Sequence, residues 1–324
     1  MQMKQLGIVI VTHNSEAVIS GCLASLPVEL AGTVVVDNAS TDGTTAAVLS
    51  FPEAKLLANP WNRGFAAAVN QAIEAVECRY VLLLNPDARV LGGLEDLMEA
   101  CKLPGVAAAG GRLVDEDGRT QTGFMVRRLP TAAALALEIL GVNRLWPGNP
   151  INRRFRYAEL DPDLPAEVEQ PAGAFLLIRR EAWRELGGLD EQFEPLWFED
   201  VDFCRRLLDR GHRVLYLPGA VASHVGGHSA TQLPLGEREV FWYGNLLRYA
   251  AKHFRSAALA AVCMTLILGS CLRTVMGILR ERSLKPVQIY GKVIGLAGRI
   301  LFRGPGSGLR LSSAFGTVGR HGIR

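Results

Sequence analysis

No two of the six cysteines form a Cys-x-x-Cys pair. They stand at Cys22, Cys78, Cys101, Cys204, Cys263 and Cys271, mostly inside apolar runs. That pattern argues against a zinc ribbon or a disulfide framework and for free thiols in a reducing compartment. Neither sign of charge dominates: 35 Lys and Arg face 32 Asp and Glu, a net charge of +3 over 324 residues. Bulk electrostatics therefore give no case for nucleic-acid binding. The N-terminus, MQMKQLG, enters a strand almost at once. It has no apolar stretch followed by a small-residue cleavage site, so no signal peptide is expected. The first apolar run, Leu6 to Val11, leads into Thr12-His13-Asn14-Ser15-Glu16 and not into a Gly-x-Gly-x-x-Gly turn. Without those glycines the backbone cannot close on a pyrophosphate at the first helix, which excludes a dinucleotide dehydrogenase. A nucleotide would have to be held by side chains, with or without a metal. Acids, finally, almost vanish from Arg273 to Arg324, where Glu281 stands alone.

What is present alternates strictly between strand and helix. The apolar or β-branched runs at Leu6–Val11, Thr33–Val36, Lys55–Ala58, Tyr80–Leu84 and Val106–Ala109 read as strands. Between them lie helical spacings over Glu16–Leu26, Thr44–Phe51, Phe65–Val76 and Leu94–Cys101. Short connections of this β-α-β kind predict a parallel, doubly wound sheet. The run Tyr80–Leu84 is apolar throughout, as a strand buried on both faces must be, and Asn85-Pro86-Asp87 stops it. Asp87 then stands at the carboxyl edge of a central strand, where open α/β sheets bind ligands. At this point two readings stand: a ligand for a divalent cation that holds a diphosphate, or a turn aspartate that caps the next helix.

The second half is less regular. Asp115-Glu116-Asp117-Gly118 signals a hairpin turn. Residues 127–163 carry four prolines and several arginines and predict a lid or acceptor loop with one helix near Ala132–Leu140. Two readings of its arginines stand, that they face an anionic acceptor or that they are mostly solvated, and the second is the expected one. A strand over Gly173–Ile178, helices over Arg179–Leu186 and Val201–Leu208, a strand over Arg213–Leu217 and an extended piece ending at His224 follow. Glu237–Phe254 predicts a helix rich in aromatics. Ala257–Leu272 carries no charge, but its 16 residues span only about 24 Å as a helix, against roughly 30 Å of bilayer hydrocarbon. Arg273 interrupts it. In Lys285–Arg303, Lys285, Gln288, Lys292, Gly295, Arg299 and Arg303 recur every three or four positions with apolar residues between, the pattern of a basic amphipathic helix in an anionic membrane interface. The tail from Gly304 has the composition of a flexible segment.

Seven pieces stand in an order that resembles the inverting glycosyltransferases of family two, with bacterial rhamnosyltransferase-like members the nearest in look. They are IVIVTHNS at 8–15, VVVDNASTDGT at 34–44, NRGFAAAVNQA at 62–72, LLLNPD at 82–87, GAFLLIRREAW at 173–183, GGLDEQFEPLWFEDVDFCRR at 187–206 and HVGGHS at 224–229. The resemblance implies an α/β fold of the GT-A type: a doubly wound, mostly parallel sheet with a Rossmann-like nucleotide-binding half at 1–110 and an acceptor half at 111–255. Residues 256–303 then form a C-terminal helical membrane-association segment, and 304–324 a tail. One departure is plain. The family's metal motif is often Asp-x-Asp, and here Asn85 replaces its first acid, so Asp87 is the only carboxylate of the loop.

The resemblance also assigns roles. Asp87 is a metal ligand, and His224 supplies a second from the sequence-distant side, a donor pair suited to Mg²⁺ or Mn²⁺. Asn85 contacts the ribose or donor sugar. Asp37 bonds the pyrimidine base, with Thr12 and Asn14 at the same pocket. Asn62 and Arg63, with the helix-start amides that follow, meet the diphosphate. Asp200 is the base that takes the acceptor proton, and Glu199 orients it or binds acceptor. Asp202 has a plainer fate, an ion pair to Arg205 or Arg206 on a solvated helix face. Asn70 is structural, Ser40 and Asp42 are helix caps, and His228 is an exposed loop histidine.

The function implied is a metal-dependent, inverting transfer of a sugar, rhamnose from a dTDP-sugar, to a lipid-linked glycan acceptor in bacterial envelope synthesis. The enzyme would sit peripherally on the cytoplasmic face of the inner membrane, with no nucleic-acid partner; a homo-oligomer stays open. A UDP-hexose donor or a polyprenyl-phosphate acceptor is the alternative within enzymes. A non-catalytic nucleotide-sugar-binding scaffold is the alternative outside them.

Overall fold

The computed structural model describes residues 3–226 and 233–304; His228 and the tail beyond Gly304 lie outside them. Eleven strands are described: β1 (Leu6–Thr12), β2 (Gly32–Asp37), β3 (Ala54–Ala58), β4 (Tyr80–Leu84), β5 (Ala88–Gly92), β6 (Val106–Val114), β7 (Val126–Arg127), β8 (Ala166–Glu167), β9 (Gln170–Pro171), β10 (Phe175–Arg179) and β11 (Arg213–His224). The helices are α1 (Glu16–Ala24), α2 (Thr44–Leu49), α3 (Phe65–Glu74), α4 (Leu94–Ala100), α5 (Ala132–Ile139), α6 (Val142–Leu145), α7 (Pro150–Phe155), α8 (Arg180–Leu186), α9 (Glu199–Asp209), α10 (Leu235–His253), α11 (Ser256–Glu281) and α12 (Lys285–Arg303). They fall into two compact units. The first draws on Met1–Leu129, Arg154–Pro195 and Glu199–Gln232, the second on Pro130–Arg153, Leu196–Phe198 and Leu233–Arg324. Helix α10 groups with the C-terminal helices, whereas the boundary read from the sequence falls at 255.

The first unit is built on a nine-stranded sheet, ordered β3-β2-β1-β4-β10-β6-β11-β5, with β8 paired to β11. Its left half is the parallel sheet the alternation predicts: β2 pairs with β3, β1 with β2, and β1 with β4, all parallel. Every residue of β1 and β4 is buried, because α1 and α3 cover the two faces of an all-apolar strand. Beyond β4 the expectation changes. Strand β10 runs antiparallel between β4 and β6, so Val106–Val114 does not extend the parallel set directly. The reason is simple: an apolar run buried on both faces carries no signal of its direction. Strand β5, missed from the sequence, caps the far edge on β11, with mostly exposed side chains that show no apolar pattern. The extended piece at 220–223 belongs to the long strand β11, which is irregular where its register on β6 shifts between Leu217 and Val221. The hairpin signal at 115–118 closes as expected, with the Gly118 amide donating to the Asp115 carbonyl at 3.0 Å.

The second unit is helical. Helix α11 spans 26 residues, about 39 Å at 1.5 Å per residue. Arg273 does not interrupt it. Its Nη1 donates back to the Gly269 carbonyl at 3.3 Å, and its guanidinium lies 5.6 Å from the centre of the Tyr243 ring. Among the described residues this is the one helix long and apolar enough to cross a membrane by length and composition. The α12 expectation needs a correction. Its apolar residues Val293, Leu296, Ala297 and Ile300 are buried within the unit, where α12 packs on α10 and α11. Most of the exposed apolar surface of these two helices is carried by α11, at Met264, Leu268, Leu272, Val275, Met276 and Leu279, with Val287 and Phe302 exposed on α12.

Candidate active site

The carboxyl ends of β1, β2 and β4, the turn after β4, and the end of β11 carry the polar residues of the first unit. Thr12 and Asp37 end paired strands and are themselves in register. The Thr12 hydroxyl donates to Asp37 Oδ1 at 2.9 Å, the Ser40 amide donates to Asp37 Oδ2 at 2.9 Å, and the Ser40 hydroxyl also donates to Oδ1. Asp37 is only 2% exposed. Ser40 is thus a clamp on Asp37 rather than a helix cap; Asp42 does cap, accepting the Thr44 amide at 3.1 Å. Asn14, held at φ +48°, accepts the Thr41 amide at 2.8 Å and ties the β1 turn to the β2 turn.

The sequence reading missed the centre of this pocket. Asn38 is buried; its amide donates to the Gly64 carbonyl at 3.1 Å, and its Oδ1 accepts from Asn59 at 3.0 Å and from the Arg63 amide at 3.4 Å. Arg63 itself is exposed and reaches Gln71 Oε1 at 3.2 Å. The helix-start amides expected at the diphosphate are partly spent. The Gly64 amide donates to Asn62 Oδ1 at 2.9 Å, and the Phe65 amide to the Pro195 carbonyl at 2.7 Å. Asn70 is structural as expected, exchanging two 3.0 Å hydrogen bonds with the backbone of Leu189.

Asp87 and His224 meet across the β5–β11 pairing, where His224 stands opposite Ala88. Both are buried, with His224 Nε2 3.6 Å from Asp87 Oδ1 and 3.4 Å from Asn85 Nδ2. Gln121 fixes the ring. Its amide donates to the His224 carbonyl at 2.7 Å, so its Oε1 faces His224 Nδ1 at 3.1 Å and must accept from it. That arrangement protonates Nδ1 and leaves the Nε2 lone pair facing Asp87, as in a metal-binding histidine whose other ring nitrogen donates to a fixed acceptor. Burial lowers the imidazole's pKa below the usual histidine value, and the opposing pull of Asp87 offsets only part of that. The ring stacks on Phe124 at 5.2 Å. The donor chemistry therefore fits a divalent cation, since both atoms can reach one ion at about 2.1 Å. They are two ligands only: among the described residues no cluster of three or more His, Cys, Asp or Glu could hold a metal.

The acid pair opens α9. Asp200 Oδ2 accepts the Gly173 amide at 3.1 Å and Gln170 Nε2 at 3.2 Å, while Oδ1 accepts the Val201 amide at 2.8 Å. The helix start and these donors favour the anion. Burial is nevertheless the largest influence and pushes the Asp200 carboxyl above the usual aspartate range. Glu199 is buried more completely, and Asp200 beside it adds repulsion, so its carboxyl is pushed well above the ordinary value. Its Oε2 finds no hydrogen-bond partner among the described residues. Both carboxyls are pushed up, Glu199 further than Asp200, so Asp200 is the first of the pair to ionise. Asp202 does pair with Arg206, at 2.7 Å, but inside the protein and not on a solvated face: it is 0% exposed, and Arg206 also donates to the carbonyls of Leu186 and Gly188. Arg205 turns to Asp209 instead.

Two links join the acid pair to the Asp87 turn. One is the dipeptide Gly173-Ala174: its first amide donates to Asp200, and its second carbonyl accepts the Asn85 amide at 3.0 Å. The other is Arg127, on the two-stranded ribbon of β7 and β9. Its charge helps hold Asp200 ionised, and its guanidinium lies 5.5 Å from the centre of the Phe124 ring that stacks on His224. Gln121, Phe124, Arg127 and Gln170 all escaped the sequence reading, because they lie in a segment without periodicity.

This geometry can be compared with known proteins. The chain matches the family described as glycosyl transferase family 2 over residues 7–187, more than half its length, and a glycosyltransferase-like family 2 description over residues 149–241. It is 30% identical to the N-acetylglucosaminyl-diphospho-decaprenol L-rhamnosyltransferase of Mycobacterium tuberculosis over 278 residues, covering 76% of this chain and 89% of that one. It is 26% identical to the rhamnosyltransferase WbbL of Escherichia coli over 172 residues, covering 52% and 60% of the two chains. Among solved structures, Staphylococcus aureus TarS in complex with UDP-GlcNAc aligns with a TM-score of 0.54 at 16% identity, covering 92% of this chain and 81% of that one. The Pyrobaculum calidifontis mannosyltransferase in complex with GDP-Man and Mn²⁺ aligns with a TM-score of 0.52 at 17% identity, covering 92% and 87%. At those identities the structures speak for the GT-A-like fold alone, and the sequence relationships speak for the activity. The chain belongs to glycosyltransferase family 2, on its rhamnosyltransferase-like side, and is a glycosyltransferase.

Proposed function

We propose that the protein is an inverting transferase that moves a sugar, rhamnose from a dTDP-sugar, onto a hydroxyl of a lipid-linked acceptor in envelope glycan assembly. The observation that carries this reading is the Gly173-Ala174 dipeptide, which binds the base candidate on one side and the Asp87 turn on the other. Asp200 accepts the proton of the acceptor hydroxyl while that oxygen attacks the anomeric carbon from the face opposite the departing diphosphate. Inversion follows from that single in-line displacement. The raised pKa makes Asp200 a stronger base than an aspartate in water, and it is the first of the pair to ionise. Thr12, Asn14, Asp37, Asn62, Arg63 and Asn85 form the donor-side set, with Asp37 offering its remaining acceptor capacity to the base. Asp87 and His224 would hold Mg²⁺ or Mn²⁺. When bound, the cation supplies Lewis-acid neutralisation of the departing diphosphate.

The decaprenol-linked substrate in the name of the Mycobacterium tuberculosis relative supports the lipid-linked acceptor. The exposed apolar face of α11, with basic residues recurring through α12, supports peripheral attachment to the cytoplasmic side of a membrane. The test is a panel of dTDP-, UDP- and GDP-sugars with Mg²⁺ or Mn²⁺, read as nucleoside diphosphate release and product stereochemistry. Release from dTDP-rhamnose with an inverted anomeric centre is expected. Retention of configuration, or preference for a UDP-hexose, would replace this reading.

A further inference from the structure

We propose that the second unit holds a binding site for a glycosyl phosphate, the headgroup of the acceptor, in a cavity between α5, α10, α11 and the segment 196–198. The inference rests on the transferase reading above and adds where the acceptor is recognised.

The cavity measures about 260 Å³ and is lined by Trp197, Arg238, Glu239, Trp242, Tyr243 and Arg273, among others. That volume is close to the lower end of small-molecule sites, roughly 300–1,000 Å³, and too small for a folded partner or an extended peptide. Two guanidiniums and two carboxylates, Glu138 and Glu239, line it, and among the described residues no ion pair joins them. Arg273 is pre-organised by the Gly269 carbonyl and the Tyr243 ring, so little freedom is left to lose on binding. The Glu239 carboxylate is partly buried in the fields of Arg273 and Arg238, yet among the described residues it pairs with neither. The other carboxylate, Glu138, is engaged by Asn143 at 2.8 Å. Two guanidiniums present planar forks matched to phosphate oxygens. A carboxylate between them requires a hydroxyl or amide donor from the ligand.

The aromatic wall supplies the remaining feature. Trp197 meets Trp242 edge-on at 5.6 Å, and Phe198 lies 5.2 Å from Trp242. Trp197 and Phe198 both take left-handed backbone, φ +80° and +73°, a conformation non-glycine residues adopt only where their surroundings enforce it. Asn245 is one enforcer, its amide donating to the Leu196 carbonyl at 2.9 Å. The strained pair fixes an indole at the cavity immediately before the acid pair in sequence. Indole faces accept the apolar C–H face of a sugar ring. A bare phosphate would face Glu239 with nothing to offer it, and an uncharged sugar would leave the two arginine forks without a bidentate partner. A sugar ring bearing hydroxyls and a phosphate answers every group. Arg273 sits on the helix whose other side exposes Met264, Leu268, Leu272 and Met276, which suits a lipid tail on the same ligand.

The test uses the full chain and two probes without donor: N-acetylglucosamine 1-phosphate in solution, and the same sugar on a diphospho-prenol in phosphatidylcholine vesicles. Binding is read by tryptophan fluorescence and calorimetry, with inorganic pyrophosphate as the control ligand. We expect the glycosyl phosphate to bind and pyrophosphate to bind less well. Arg238→Gln and Arg273→Gln should each weaken binding by about tenfold, and Glu239→Gln should narrow the preference for the glycosylated ligand. Stronger binding on vesicles assigns the lipid-linked source, and equal binding assigns a free glycosyl phosphate. Unchanged affinity in folded Arg238→Gln, the more peripheral variant, overturns the site, as does pyrophosphate binding equally well. Nucleoside diphosphate release without acceptor is measured in parallel. Release with no probe binding sinks this inference alone, while probe binding with no release from any donor sinks the transferase reading and leaves the site standing.

Discussion

Replacing Asp200 with asparagine tests the chemistry most directly, and its two effects can be separated in size. Three donors converge on this carboxylate: Gly173 N, Gln170 Nε2 and Val201 N. Asparagine offers one oxygen. If that oxygen keeps Gly173 and Gln170, the new amide faces the Val201 amide, and one buried donor is orphaned at a cost of about 1–3 kcal/mol. Removing a carboxylate that burial already disfavours offsets part of that cost. A net destabilisation of about 1–2 kcal/mol leaves an ordinary domain folded at 25 °C. Loss of a general base costs about 10²–10⁴ in rate, which is roughly 3–5 kcal/mol of barrier. Transfer should therefore nearly vanish while the protein stays folded and binds donor. The assay is single-turnover transfer at saturating acceptor, with donor affinity from calorimetry and Tm from fluorescence. Wild-type turnover should also fall as pH drops through a pKa above the usual aspartate range, and the variant's residual rate should lose that limb. Turnover within about threefold of wild type in folded Asp200→Asn would refute the assignment.

Three further outcomes are expected. Gln121→Ala removes the hydrogen bond that holds the His224 Nδ1 proton, so Mn²⁺ affinity in the presence of nucleoside diphosphate should fall about 10–100-fold; an unchanged Mn²⁺ titration would argue against His224 as a ligand. Glu199→Gln should raise Tm at about pH 8 and lose that advantage near pH 4. The sign follows because a folded-state pKa raised above the unfolded value gives stability that is present at low pH and lost as pH climbs through the folded pKa, and glutamine removes that loss. Leu268→Glu with Leu272→Glu changes two exposed positions, so stability should move by less than about 0.5 kcal/mol at each. Sedimentation with anionic vesicles should fall sharply, and unchanged sedimentation would move the membrane contact elsewhere.

The strand ends of the first half were legible because each all-apolar run stops at a polar cluster that the sheet must place on one edge. Thr12, Asp37, Asn85 and Asp87 were found that way. The insertion of β10 between β4 and β6 was not legible, because FLLIR reads the same for either strand direction. Gln121, Phe124 and Arg127 escaped because their placement depends on a two-residue ribbon, too short for any periodic signal. Arg273 misled for another reason. A lone arginine in an apolar run reads as a break, but here the backbone carbonyl of the preceding turn and an aromatic ring from α10 satisfy it inside a continuous helix. The donor-side role proposed for Asp37 comes from the family resemblance, whereas the Thr12 and Ser40 hydrogen bonds that orient it need coordinates.

The Gly173-Ala174 dipeptide has a mechanical consequence. It enters β10, a strand laddered on both sides by β4 and β6. A Cβ at Gly173 would lie 3.2 Å from the Asp200 Cβ, so the backbone there touches the acid directly, with no side chain between them. Asp200 and the Asn85 amide are thus bolted to the middle of a sheet, and thermal fluctuation carries them together as a single block. The spacing between the proposed proton acceptor and the proposed leaving-group pocket is then a fixed dimension of the scaffold. Their protecting amides should exchange with solvent only when the sheet itself opens.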